Sequence, residues 1–125
     1  MGYGMKRLVL ALALSGPFQL PAWAGQYAAP THDDVALLKG FALARCLGGT
    51  LPSIKAEADA AAGGYVEQGS VAFEAYEEID ALAAAFAGRA YASKAGGDLS
   101  IMKCFDLLAS GELSEIIGRH VSDRP

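Results

Sequence analysis

Two cysteines (Cys46 and Cys104), two histidines (His32 and His120) and a run of carboxylates are the side chains of this 125-residue chain best equipped for chemistry. A nucleophilic thiol needs an adjacent base and an exposed thiolate. Cys46 with His32, or Cys104 with His120, would be the pairs, but nothing local in the sequence sets either one up. His32-Asp33-Asp34 has metal-ligand residue types, yet the second histidine lies 88 positions on, and acids at a helix start already suit the helix dipole. No metal and no cofactor are expected. Glu74, Glu77, Glu78 and Asp80 are dense enough for paired acid–base work, but at helical spacing they read as a solvated face. Ser70, Ser93 and Ser110 lack a nucleophile elbow or an S-x-x-K partner, and the glycine pairs form no nucleotide-binding loop. The chain does not read as an enzyme.

The compartment favours a different use for the cysteines. Residues 1–24 have the order of a cleavable export leader: Lys6 and Arg7, then the apolar run of residues 8–14, a break at Ser15-Gly16-Pro17, and the small-x-small site Ala22-Trp23-Ala24. The apolar run is too short for a bilayer span, which takes about 20 residues. Cleavage after Ala24 would leave residues 25–125 as one exported domain. In an oxidising compartment two thiols far apart in sequence usually form a disulfide. A reactive thiol remains the alternative at this stage.

Without Lys6 and Arg7 the domain carries 8 basic and 14 acidic residues, a net charge of −6. An acidic chain with no basic tract is poorly suited to nucleic acid, where clustered Lys and Arg must neutralise phosphate. It is better suited to a basic protein partner, because opposite charge speeds association, although composition alone is accounted for by solubility.

These residues must be positioned by helices. Thr31-His32-Asp33-Asp34 offers caps and early acids for a helix with Val35, Leu38, Phe41, Ala42, Arg45 and Cys46 on one face, ended by Gly48-Gly49. Pro52 opens a second helix, Ala-rich over residues 53–62 and stopped by Gly63-Gly64, with residues 65–69 as connector. Ser70 is the expected cap of the longest helix. Phe73, Tyr76, Ile79 or Asp80, Leu82 or Ala83, and Phe86 mark its apolar face. A loop holding Ser93, Lys94 and Gly96-Gly97 follows. Leu99, Met102, Phe105 and Leu108 then line a fourth helix, and Leu113, Ile116, Ile117 and Val121 a fifth. No alternating β-branched run argues for a strand. The expectation is an all-α bundle of about five helices, in which a Cys46–Cys104 bond would tie the first to the fourth.

Four stretches carry a family resemblance: residues 63–70 (GGYVEQGS), 74–82 (EAYEEIDAL), 91–94 (YASK) and 102–107 (MKCFDL). Their order and spacing, with both cysteines, resemble the immunity proteins of type VI secretion amidase effectors (the Tai/Rap type) over roughly residues 33–121. The resemblance implies a periplasmic, all-helical, often homodimeric protein with a disulfide between the positions of Cys46 and Cys104. It implies that the chain binds and occludes a secreted NlpC/P60-type peptidoglycan amidase through a protruding loop or helix end. Such a protein needs no catalytic residue, cofactor or metal of its own, and no membrane contact once the leader is gone. The loop of Tyr91, Ser93, Lys94, Gly96, Gly97 and Asp98 is the first candidate surface, and Glu74, Glu77 and Glu78 form the second. A periplasmic chaperone or envelope adaptor without enzymatic activity is the alternative function.

Overall fold

The computed structural model describes residues 33–121. The expected leader with its cleavage site at Ala22 and Ala24, and His32, lie outside the described residues. Within them are five α-helices: α1 Asp34–Thr50, α2 Lys55–Gln68, α3 Phe73–Ala87, α4 Ser100–Leu108 and α5 Gly111–Val121. The only β-pairing among the described residues is an isolated antiparallel bridge between Ala92 and Asp98. No described helix is long and apolar enough to cross a membrane.

The centre of the bundle is α1. Asp33 starts it, its carboxylate accepting the Ala36 amide at 2.7 Å, the cap expected of an aspartate before an apolar run. Leu37, Leu38, Phe41, Ala42, Ala44 and Cys46 are buried over more than half of the helix circumference, while Ala36 and Lys39 face solvent. So broad an apolar surface needs several neighbours to cover it, and the other four helices all pack against this one. Phe41 meets Tyr76 of α3 edge to face, with ring centroids 5.2 Å apart, a favoured aromatic geometry.

Gly48-Gly49 marks the end of α1 to within one residue, but Gly63-Gly64 does not end α2, which continues to Gln68. Glycine costs a helix about 1 kcal/mol per residue relative to alanine, and packing outweighs that cost here. Beyond Gly63-Gly64, Tyr65 and Val66 pack against the core. The Tyr65 ring lies across Gly40 of α1, where a Cβ would come within 2.5 Å of a ring carbon. The supposed connector is therefore helix.

Two further expectations change. Ser70 does not cap α3, which starts after Ala72 without a side-chain cap. Instead the Ser70 amide donates to the Asp34 carboxylate at 3.2 Å, joining the α2–α3 turn to the start of α1. Tyr76, Ile79, Ala83 and Phe86 are buried along α3 as expected, but Phe73 in its first turn is 68% exposed. The apolar face chosen for α4 is also the wrong one. Met102 and Phe105 are more than half exposed, with Ile101 beside them, whereas Lys103, Cys104 and Leu107 face the core. The disulfide decides this orientation, because it turns Cys104 inward and carries its neighbours at i−1 and i+3 with it.

Candidate partner-binding site

Cys46 and Cys104 are bonded, with Cα atoms 5.6 Å apart, and both are fully buried. This excludes the reactive-thiol alternative and fixes α4 against α1. From α4 two side chains reach back to the segment that enters the loop. Lys103 is 91% buried, and its Nζ donates to the carbonyls of Ala87 at 2.7 Å and Arg89 at 3.0 Å. These carbonyls lie where α3 ends and its last acceptors lack helical partners, and where the helix dipole favours a basic group. One turn on, the Asp106 carboxylate accepts the Tyr91 hydroxyl at 2.8 Å. The Arg89 guanidinium, between the two anchors, stacks 3.6 Å over the Phe86 ring, a favourable cation–π position.

Beyond these anchors the loop forms a small hairpin. Ala92 and Asp98 pair across its base. The Ser93 amide donates to the Gly97 carbonyl at 3.0 Å, the Gly96 amide to the Ser93 carbonyl at 2.9 Å, and the Gly97 amide to Ser93 Oγ at 3.1 Å. Gly96 has φ +85°, the left-handed conformation that closes three-residue hairpin tips and that side chains resist. Lys94, Ala95, Gly96, Gly97 and Asp98 are exposed, while Tyr91 and Ser93 are half-buried. A cleft of about 460 Å³ runs under the hairpin, bordered by Thr50, Arg89, Tyr91, Asp98, Ser100 and Lys103. The structure thus gathers Tyr91, Ser93, Lys94, Gly96, Gly97 and Asp98 into one projecting element.

The acidic candidates are not part of it. Glu74 lies in the first turn of α3, about 20 Å along the helix from Ala87 at 1.5 Å per residue. Glu74 and Glu77 are exposed. Glu78 instead ties α3 to α5, its carboxylate accepting from the Arg119 guanidinium at 2.6 and 3.2 Å, with His120 Nε2 3.2 Å away. The hydrogen bond from Arg119, then that from His120, hold the Glu78 carboxyl below its ordinary value, and Glu78 in turn raises Arg119. Asp80 joins a second group, in which Arg45 of α1 bonds Asp80 at 2.6 Å and Asp59 of α2 at 3.1 Å, and Lys55 bonds Asp59 at 2.6 Å. The Asp80 hydrogen bond raises Arg45, and the Lys55 hydrogen bond lowers Asp59.

The sequence reading missed Lys103 and Asp106. A signal was present for Lys103, a lone basic residue next to the disulfide cysteine and on the same helical side as Leu107. A charged side chain at such a position is buried only with partners. Asp106 gave no signal, since its partner is visible only once the loop is folded.

The family described as the type VI secretion system (T6SS) amidase immunity protein, Tai4, matches residues 36–117. Among solved structures, a chain of the effector–immunity system Tae4/Tai4 from Salmonella typhimurium (selenomethionine variant) is 34% identical and superposes with a TM-score of 0.67. The match covers 82% of this chain and 98% of that one. No curated protein matches. With a bundle, a buried disulfide and a family match extending across all five helices, the chain belongs to the Tai4 family of type VI secretion amidase immunity proteins.

Proposed function

We propose that this protein is exported to the periplasm and there binds and occludes a secreted peptidoglycan amidase of the NlpC/P60 type, sparing the cell that makes it. The observation that carries this reading is the hairpin of residues 91–98. It projects from a disulfide-braced scaffold, in a chain whose solved relative belongs to an effector–immunity system. A preordered loop loses little conformational entropy when it enters a cleft, which favours tight inhibition. A net charge of −6 after leader removal suits steering toward a basic toxin. The inhibitor contributes no catalytic group, only a fitted obstruction.

A homodimer belongs to the same reading. Ile101, Met102 and Phe105 form a contiguous exposed apolar face on α4, and a second copy is the natural cover for it. Sedimentation of wild type and Phe105→Asp tests this, with a monomeric wild type counting against it.

The test of function is co-expression with a type VI secretion amidase of the same cell, directed to the periplasm. Rescue of growth is expected. Alanine at Tyr91, Ser93, Lys94 and Asp98 should together abolish rescue while leaving the helical circular dichroism intact. Unaltered rescue would remove the hairpin as the inhibitory surface, and binding to many unfolded proteins in place of one amidase would favour a chaperone.

A further inference from the structure

We infer that Lys103 and the Tyr91–Asp106 pair are positioning residues that set the aim of the hairpin for its partner, an inference resting on the hairpin as the inhibitory surface. Both anchors originate one turn apart on α4, on either side of the disulfide residue Cys104. Lys103 grips the backbone where the chain leaves α3, at Ala87 and Arg89. Asp106 grips the first residue of the loop through the Tyr91 hydroxyl. The hydrogen bonds within the tip shape residues 93–97 but cannot fix the direction in which the hairpin points. That direction depends on residues 87–91, and α4 fixes them at two points. The disulfide holds α4 to the central helix α1, so the position of the hairpin is referred to the most buried element of the fold. A loop released from these anchors would spend only part of its time in the binding-competent orientation, and apparent affinity falls by that fraction.

Two variants probe the anchors with different risks to folding. Lys103→Met keeps the apolar stem and removes the donor from two carbonyls. Tyr91→Phe removes one hydroxyl from a half-buried ring and leaves the core untouched. Tyr91→Phe, which loses one hydrogen bond, is expected to speed hydrogen exchange of the Ser93, Gly96 and Gly97 amides about tenfold, and Lys103→Met, which loses two, at least as much, while amides in α1 stay protected. Affinity for the amidase from which the chain rescues cells, inactivated at its catalytic cysteine, should fall about tenfold, through the smaller fraction of binding-competent hairpin. Asp106→Asn keeps an acceptor for the tyrosine and should restore near-wild-type values, whereas Asp106→Ala should match Tyr91→Phe without adding to it. Unchanged exchange at the three tip amides in both anchor variants would overturn the inference. Lys94→Glu at the exposed tip separates the two ideas. If it weakens binding and the anchor variants do not, the anchors have no positioning role and the hairpin remains the surface. If neither it nor the anchor variants affect binding, the hairpin is not the surface, and the positioning role falls with it.

Discussion

The loop-bearing end of the bundle and the α1–α2–α3 groove are held by different kinds of interaction. At the first, a covalent bond between fully buried cysteines, a buried lysine on two backbone carbonyls and a tyrosine on an aspartate fix α4 and the loop. At the second, Arg45 is shared between Asp59 and Asp80, with all three side chains between a third and a half exposed. Water competes for the ionic group, salt screens it, and such pairs contribute little stability. At the loop end the cysteines and Lys103 are buried away from that competition, whereas the Tyr91–Asp106 bond is part-buried like those of Arg45. The loop-bearing end is thus braced by one covalent bond and one buried lysine, and the groove by exchangeable surface ion pairs.

The largest effect should come from the disulfide. It closes a loop spanning a sequence separation of 58, and chain entropy assigns such a closure about 4 kcal/mol. Replacing both cysteines by alanine should lower unfolding stability by about that amount, read by extrapolating urea unfolding to water, with a steeper slope because the unfolded chain is less compact. The hairpin amides should lose protection before those of α2. A loss of stability with no preferential loosening of the hairpin would break the contrast between the two ends.

A smaller effect is expected at the groove. Arg45→Met keeps the apolar stem against Phe41 and Tyr76 and removes only the charge. The expected cost is about 1 kcal/mol or less, and 1 M NaCl should remove most of the difference between variant and wild type. A cost of about 3 kcal/mol or more would place Arg45 among buried charges whose loss strands a partner, and the two ends would then be held alike.

The contrast also explains which parts of the fold were legible in the sequence. Helix number, the cap at Asp33, the helical start at Pro52, and the buried positions Leu38, Phe41, Tyr76, Ile79, Phe86 and Leu113 follow from local periodicity and chemistry. The hairpin residues were legible because glycines and polar residues between two helices mark a loop. What escaped depends on partners distant in sequence. Gly63-Gly64 reads locally as a stop, and only the seat of Tyr65 on Gly40 keeps the helix going. Met102 and Phe105 have the spacing of a core face, and only the bond at Cys104 turns them outward. Lys103 and Asp106 find their acceptor and donor 14 to 16 residues upstream, in a segment whose position no local rule specifies.

Acid offers the finest discrimination between the ends. Asp59 is held below its ordinary value first by the Lys55 hydrogen bond, and Glu78 first by Arg119. A carboxylate with a depressed folded-state pKa contributes stability that is present above its unfolded value, about 4, and lost as pH falls through the folded one. Stability should thus be flat in these contributions from pH 7 to 5 and decline below about 4. Glu78 joins α5 to α3, and Asp59 joins α2 to α1. The disulfide seam between α1 and α4 has no such dependence, because the cysteines do not titrate. Native-state hydrogen exchange at pH 3.5 should therefore show α2 and α5 opening ahead of α4, with Glu78→Gln reducing the acid response of α5 alone. Helices that lose protection together would mean that the ion pairs and the disulfide stabilise one indivisible unit, and the hairpin would then have no private support.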